Sequence, residues 1–230
     1  MKPIIRWTIG NVYPNGLYSL KVSIKLFSEL YPNFDLYVCY NNIDNPCLKE
    51  LKTLGVKLIN QEKHIDSLAY KPKLATWKLF PPRLNINTHE IVVDNDLIIK
   101  KECPFIEEFI NGKHTLLCEG KHRLFGRFEK YVPKNYKINC GLYGMPPKFD
   151  FQKEISNILA QDKKEFTNFF DDQGLVAACL TKIKHEVISR KDISITEAKE
   201  KLIDGEYGIH FVQLNREKIH KGWNQYCDKF

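Results

Sequence analysis

The sequence predicts an α/β protein built on a mainly parallel, mixed central sheet with helices on both faces. Short apolar runs of strand length alternate with segments of helical periodicity from the N-terminus onward. The chain has 230 residues, of which 43% are hydrophobic and 27% charged, and this composition suits one globular domain over residues 1–230. Neither a membrane-spanning apolar run nor a signal peptide is recognisable, so we expect a cytoplasmic protein.

The first five elements alternate as β-α-β-α-β. The run PIIRWTI predicts a strand, and NGLYSLKVSIKLFSELYPN predicts a helix because Leu20, Ile24 and Phe27 recur at helical spacing. Pro32 ends that helix. The run FDLYVCY predicts the second strand, PCLKELKTLG the second helix and VKLI the third strand. Such alternation is typical of parallel sheets, which bind ligands at the carboxyl ends of their strands.

The later elements are read in the same way. The runs HEIVVDND, HTLLCE and KINCGLYGM predict strands. Helices are predicted near 151–160, 172–181 and 216–226. The basic and aromatic stretch 120–136 has no regular period, and we expect it to form a loop over the functional site.

Composition and missing motifs exclude several classes of protein. The seven cysteines form no Cys-x-x-Cys pair, so we expect reduced thiols. The net charge of +7 suits an anionic partner such as a nucleotide, but the lysines are spread along the chain and do not favour nucleic-acid binding. No Gly-x-Gly-x-x-Gly or Walker-type motif is present, which argues against dinucleotide oxidoreductases and P-loop enzymes.

The stretch EIVVDNDLIIKK places two carboxylates, Asp94 and Asp96, inside an apolar run. In an extended chain these two side chains point to the same side and Asn95 points away. Two carboxylates so close repel each other unless a cation lies between them, and Mg²⁺ or Mn²⁺ takes such oxygen ligands together with substrate phosphates. The alternative is a solvated turn, because Asp-Asn-Asp is favourable turn chemistry. The position at the end of a buried strand favours the metal site.

Five segments, in this order, carry a resemblance to a known family. They are TIGNVYPNGLYSLKVSIKLFSELYP, IVVDND, INCGLYGM, FFDDQGLVAACL and GIHFVQLNREKIHKGW. The order resembles that of nucleotide-sugar glycosyltransferases of the GT-A fold. The most similar group is glycosyltransferase family 8, which includes glycogenin and bacterial lipopolysaccharide galactosyltransferases. Gly174 departs from the family pattern, which usually has a second Asp there, and Gly222 replaces a Pro.

The resemblance implies roles for particular residues. The implied metal ligands, for Mn²⁺ or Mg²⁺, are Asp94, Asp96 and His210. Asp172 and Gln173 are implied to lie beside the reacting carbon. The residues implied to bind the nucleotide or the donor sugar are Trp7, Thr8, Asn11, Tyr13, Lys78, Asn95, Asn139 and one of Lys218 and Lys221.

Each role has a structural alternative. Asp172 and Gln173 precede an apolar helical run, so they also suit a helix start. Asn139 could shape a bulge. Trp7 and Tyr13 could be core residues, Lys78 a solvated lysine, and His210 a satisfied buried histidine.

The implied reaction moves a sugar from a nucleoside-diphosphate sugar, with UDP-sugar as the expected donor, to a hydroxyl of a glycan or glycolipid. Retention would place Gln173 beneath the sugar, whereas inversion would need Asp171 or Asp172 as base. The alternatives are a nucleotidyltransferase of related fold and a metal-independent carbohydrate- or nucleic-acid-binding protein. The basic stretch REKIHKGWNQYCDKF could contact a membrane surface, or it could be a solvated helix face.

Overall fold

The computed structural model of the protein describes residues 1–10, 14–63, 74–162, 166, 168–197 and 201–212. The elements of the first half are β1 Ile4–Ile9, α1 Pro14–Leu30, β2 Asp35–Tyr40, α2 Asn45–Lys52, β3 Lys57–Asn60, β4 Glu90–Val93 and β5 Leu97–Ile99. Those of the second half are α3 Pro104–Asn111, β6 Thr115–Glu119, β7 Ile138–Met145, α4 Phe151–Gln161, α5 Asp171–Leu180, β8 His185–Ile188, β9 Ile193–Glu197 and β10 Gly208–Val212.

The predicted β-α-β-α-β start is confirmed, as are the strands within HEIVVDND, HTLLCE and KINCGLYGM. The helices predicted near 151–160 and 172–181 correspond to α4 and α5, while the one near 216–226 lies outside the described residues. The sequence analysis did not identify α3, β8 or β9. Over the described part of the chain, no helix combines the length and apolarity that a membrane crossing requires.

The central sheet has seven strands in the order β3-β2-β1-β4-β7-β6-β8. Every described neighbour pair in it is parallel except the two pairs made by β7, which runs antiparallel to β4 and β6. A second sheet has the order β5-β10-β9. The prediction of a mainly parallel, mixed sheet is therefore confirmed.

Alternating side chains of the central strands feed two hydrophobic cores. In β4, Ile91 and Val93 pack with the apolar faces of α1 and α3, while Val92 packs with α4 and α5 on the opposite face. All four residues of β4 are buried. Because successive side chains of a strand point to opposite faces, a continuous apolar run fits a strand covered on both sides. Helices on both faces of the sheet are thus confirmed.

A buried ion-pair cluster lies at the amino end of β4. Glu90 is fully buried, with Oε1 2.9 Å from Arg6 Nη1 and Oε2 3.6 Å from Arg83 Nε. Arg83 also donates to backbone carbonyls, including that of Thr88 at 2.6 Å. Paired and hydrogen-bonded charges of this kind avoid most of the cost that a single buried charge would carry.

The stretch 120–136 is more ordered than the predicted loop. It contains a short 3-10 helix, Gly126–Tyr131, and the side chains of Phe125 and Phe128 are buried in the core beneath α5. The burial of these two aromatic side chains, which the sequence pattern did not reveal, therefore fixes this part of the stretch against the core. Its first half borders the functional site described next.

Candidate functional site

A cavity of about 820 Å³ opens at the carboxyl ends of β1 and β4. This is the edge at which parallel sheets bind ligands. Its walls come from the end of β1, the segment after β4, the middle of β7, the start of α5 and β10. Nine of the predicted site residues line it: Thr8, Lys78, Asp94, Asn95, Asp96, Asn139, Asp172, Gln173 and His210.

The two acids of the Asp-Asn-Asp motif lie in a tight turn between β4 and β5. The N–H of Leu97 donates to the carbonyl of Asp94 at 3.2 Å and so closes the turn. The carbonyl of Gly141 accepts the N–H of Asp94 at 2.7 Å, and the N–H of Phe211 donates to the carbonyl of Asp96 at 2.9 Å. The extended-chain geometry assumed above is wrong, but the turn still directs both carboxylates to one place.

Asp94, Asp96 and His210 form a group that could hold a metal ion, because one ligand atom from each lies within 4.8 Å of the others. His210 Nε2 is 3.1 Å from Asp96 Oδ1 and 3.9 Å from Asp94 Oδ2. Burial alone would lower the pKa of His210, but the carboxylates, Asp96 above all, raise it on balance. Two carboxylates beside one imidazole also suit a divalent cation, and carboxylate oxygens with one imidazole suit Mn²⁺.

Lys78 supplies the positive charge opposite this group. Its Nζ lies 3.1 Å from Asp94 Oδ1 and 3.5 Å from Asp172 Oδ2. Burial works to lower the pKa of Lys78, but the attraction of Asp94 and Asp172 outweighs it, so the pKa is raised. The interpretation of Lys78 as a solvated lysine is therefore wrong. Two carboxylates flank this ammonium, and with Asp96 and a neutral His210 the group has a formal net charge of −2.

Asp172 and Gln173 open α5 at the cavity wall. Asp172 Oδ1 accepts the N–H of Gln173 at 2.7 Å, and burial raises the pKa of Asp172 although Lys78 opposes this. Gln173 Nε2 donates to the carbonyl of Leu124 at 2.7 Å. Both residues lie in the first helical turn, as the structural alternative expected, and both face the cavity. A helix start and a site residue are thus compatible here.

Asp171, the other carboxylate considered as a base, is directed elsewhere. It is fully buried, and its two oxygens accept the N–H groups of Arg127 and Asn168, each at 3.0 Å. It does not line the cavity. Of the two neighbouring aspartates, only Asp172 is therefore placed to meet a ligand.

Comparison with solved structures identifies the fold. The chain is similar to the galactosyltransferase LgtC in complex with donor and acceptor sugar analogs, with a TM-score of 0.65 and 11% identity over 98% of this chain and 94% of that one. The apo-form glycosyltransferase GlyE of Streptococcus pneumoniae TIGR4 matches with a TM-score of 0.62 and 11% identity, over 99% of this chain and 60% of that one. The chain has the GT-A fold.

The same GT-A architecture extends to another class of enzyme. A nucleoside-diphosphate-sugar pyrophosphorylase from Vibrio cholerae RC9 matches with a TM-score of 0.51 and 13% identity, over 81% of this chain and 92% of that one. No protein-family model matches the sequence, and no curated protein matches it. The likeness therefore resides in the fold, at sequence identities too low to carry over an activity.

The packing of Phe125 against α5 explains the departure at Gly174. A Cβ atom at this position of α5 would overlap the backbone of Phe125. The stretch that covers the start of α5 thus leaves no room for an aspartate there.

The other residues that were predicted to bind the nucleotide fall into three groups. Thr8 lines the cavity, and its buried hydroxyl has no hydrogen-bond partner among the described residues. Trp7 does not line the cavity, because its ring lies in the core against Phe27 and its Nε1 donates to Ser23 Oγ at 3.1 Å. The core-packing alternative for Trp7 is correct. The remaining predicted residues, Asn11, Tyr13, Lys218 and Lys221, lie outside the described part of the chain.

Asn95 and Asn139 both hold other site elements in place. Asn95 Nδ2 donates to the carbonyl of Gly16 at 3.0 Å, which ties the turn to α1. Asn139 Oδ1 lies 2.8 Å from His210 Nδ1 and also accepts the N–H of Gly141 at 2.8 Å. Both asparagines reach the cavity wall, yet these hydrogen bonds commit much of their polar surface to the protein itself.

Sequence reasoning missed several residues of the cavity wall. They are Trp77, Phe169, Phe170, Ile195 and Glu197, whereas Lys121 and His122 belong to the stretch 120–136, which was predicted to lie over the site. The alternating run ISITE could have identified β9, which carries Ile195 and Glu197. The others lie in segments without regular periodicity, so only the folded chain reveals that they meet at one site.

Proposed function

We propose that the protein is a metal-dependent glycosyltransferase, carried by one GT-A domain over residues 1–230. It would move a sugar from a nucleoside-diphosphate sugar, with UDP-sugar as donor, to a hydroxyl of a glycan or glycolipid. The observation that carries this proposal is the convergence of Asp94, Asp96 and His210 on the wall of the cavity. In this fold, an anionic diphosphate and a divalent cation would neutralise each other there.

The residues present fit a divalent cation. Asp94, Asp96 and His210 would hold Mn²⁺ or Mg²⁺, and a bound ion would stabilise the charge that develops on the leaving diphosphate. The net charge of −2 on the site, counted with Lys78 and Asp172, supports a 2+ ion. The orphaned hydroxyl of Thr8 supports a ligand with polar groups beside the end of β1.

Lys78 and Asp172 would act together on the donor. Lys78 pairs with the carboxylates of both Asp94 and Asp172 and so links the two acids through one ammonium. Asp172 then offers the cavity a carboxylate that can accept hydrogen bonds from sugar hydroxyls. We propose retention, with Gln173 beneath the sugar, since Asp171 faces the protein interior and Asp172 is already paired to Lys78.

The experiment is a thermal-shift screen of UDP, GDP, CMP and their sugar conjugates, each with Mn²⁺ or with EDTA. A ligand that binds only the native state raises the apparent melting temperature. We expect a shift with UDP and Mn²⁺ that is lost in Asp96→Asn. The matched control is Asp204→Asn, a half-exposed acid paired with Lys100, which should leave the shift intact.

Product analysis separates the alternatives. Release of UDP from UDP-sugar supports the transferase, and NMR of the anomeric proton of the product reports retention or inversion. Formation of pyrophosphate from UTP and a sugar 1-phosphate would instead support a nucleotidyltransferase. Ligand binding unchanged by EDTA and by Asp96→Asn would support a metal-independent binding protein.

The thiols support a reducing location. All six cysteines in the described residues are free, and five of them are buried. Free thiols are the usual state in the cytosol. We therefore propose a cytoplasmic enzyme.

A further inference from the structure

Asn139 joins the group that could hold a metal to the residue proposed to lie beneath the sugar. On one side its Oδ1 lies 2.8 Å from His210 Nδ1. On the other its Nδ2 lies 3.4 Å from Gln173 Oε1. The side chains of Gln173, Asn139 and His210 thus form a continuous hydrogen-bonded chain that ends at Asp96.

Backbone groups determine the orientation of both side-chain amides in this chain. The N–H of Gly141 can only donate, so the Asn139 atom that it contacts must be the carbonyl oxygen. The carbonyl of Leu124 can only accept, so the Gln173 atom that it contacts must be the amide nitrogen. Gln173 Oε1 and Asn139 Nδ2 are then left to face each other, as acceptor and donor.

This direction selects the tautomer of His210. Because Asn139 Oδ1 can only accept, His210 Nδ1 must carry a proton. Nε2, 3.1 Å from Asp96 Oδ1, is then the nitrogen left to meet either a proton or a cation between Asp94 and Asp96. The bare backbone of Gly141 makes room for the ring, since a Cβ there would overlap the imidazole.

We propose that Asn139 is a positioning residue of the metal site, which accepts the Nδ1–H of His210 and so directs Nε2 toward Asp94 and Asp96. The inference rests on the proposed function for the presence of the metal. It assigns both polar atoms of the Asn139 side chain to the protein, whereas the sequence analysis expected them to contact the donor sugar. Removing such a partner of a ligating histidine typically weakens metal binding by about 10–100-fold.

Mn²⁺ titration followed by electron paramagnetic resonance tests this role. Asn139→Leu should weaken Mn²⁺ binding by about 10–100-fold, because no acceptor remains for His210 Nδ1. Asn139→Asp should bind Mn²⁺ at least as tightly as the wild type, because a carboxylate oxygen accepts the same proton. Gln173→Ala should stay near the wild type, because Gly141 still orients the Asn139 amide.

The outcomes distinguish this inference from the proposed function. Equal Mn²⁺ affinity in wild type and Asn139→Leu, or equal weakness in the Asp and Leu variants, would overturn the role of Asn139 alone. Wild-type protein that binds no Mn²⁺, with or without UDP, would overturn both. Melting curves in EDTA show whether each variant folds.

Discussion

Replacement of Lys78 by methionine tests how the charges of the site are balanced. At an effective dielectric constant of about 20, a charge separation of 3.1 Å corresponds to a gross attraction of about 5 kcal/mol. Breaking a buried ion pair costs a net of about 3–5 kcal/mol, because the remaining charge is uncompensated. The Asp94 side chain is 28% exposed and Asp172 only 16%, so water offsets part of this cost. We expect a loss of about 3 kcal/mol in EDTA.

The assay is thermal unfolding in EDTA and then in Mn²⁺. For a chain of this length, a loss of about 3 kcal/mol lowers the melting temperature by about 6–12 °C. Mn²⁺ should raise the melting temperature of Lys78→Met by more than it raises that of the wild type, because the ion replaces the missing cation beside Asp94. Added UDP should raise it less than in the wild type, because the ammonium that would face the diphosphate is gone.

The control is Lys182→Met. Lys182 lies 2.9 Å from Glu154, but its side chain is 40% exposed, so its loss should cost only about 0–1 kcal/mol. Equal melting temperatures of Lys78→Met and Lys182→Met in EDTA would contradict the role of Lys78 as a buried counter-ion. A smaller stabilisation of Lys78→Met than of the wild type by Mn²⁺ would contradict it as well.

Two further perturbations have expected outcomes. Glu90→Gln should lower the free energy of unfolding by about 3–5 kcal/mol in urea titrations, because Arg6 and Arg83 lose their common buried counter-charge; a loss under 1 kcal/mol would contradict this ion-pair assignment. In EDTA, the pairing of His210 with Asp96 raises the pKa of His210. The pairing therefore stabilises the folded protein fully below the unfolded pKa of about 6.5, and this stabilisation is lost as pH rises through the folded pKa. His210→Gln should remove that pH dependence of the unfolding free energy, and parallel pH profiles in the two proteins would exclude it.

Most of the sheet could be predicted because its signals are local. The helical spacing of apolar residues in α1 reflects which face of that helix is buried, and the apolar runs in β1, β2 and β4 do the same for the strands. Residues adjacent in the sequence carry this information directly. Even the motif of Asp94 and Asp96 follows from position, since carboxylates that end a buried strand of such a sheet reach its ligand-binding edge. Both the turn and the convergence of the acids were open to sequence reasoning.

The antiparallel pairing of β7 with β4 has a different origin. Strand direction depends on the path of the chain between strands, which apolar spacing does not encode. That pairing brings Gly141 beside Asp94 and Asn139 beside the end of β4. The same pairing places Gly141 against the His210 ring, where a Cβ atom would overlap the imidazole.

Residue identity limited which side chains could take part in the reaction. The packing of distant segments then determined which of those side chains face the cavity. Asp171 and Asp172 are adjacent in sequence and carry the same carboxyl group, but hydrogen bonds from the backbone of Arg127 and Asn168 turn the first inward. The sequence allowed Lys78 to be either a solvated lysine or a buried counter-ion, and the fold places it between Asp94 and Asp172. Hydrogen bonds and charge pairs at sequence separations such as the 114 residues between Asp96 and His210 depend on where whole elements dock. That docking follows from the combined burial of many side chains, which no short pattern records.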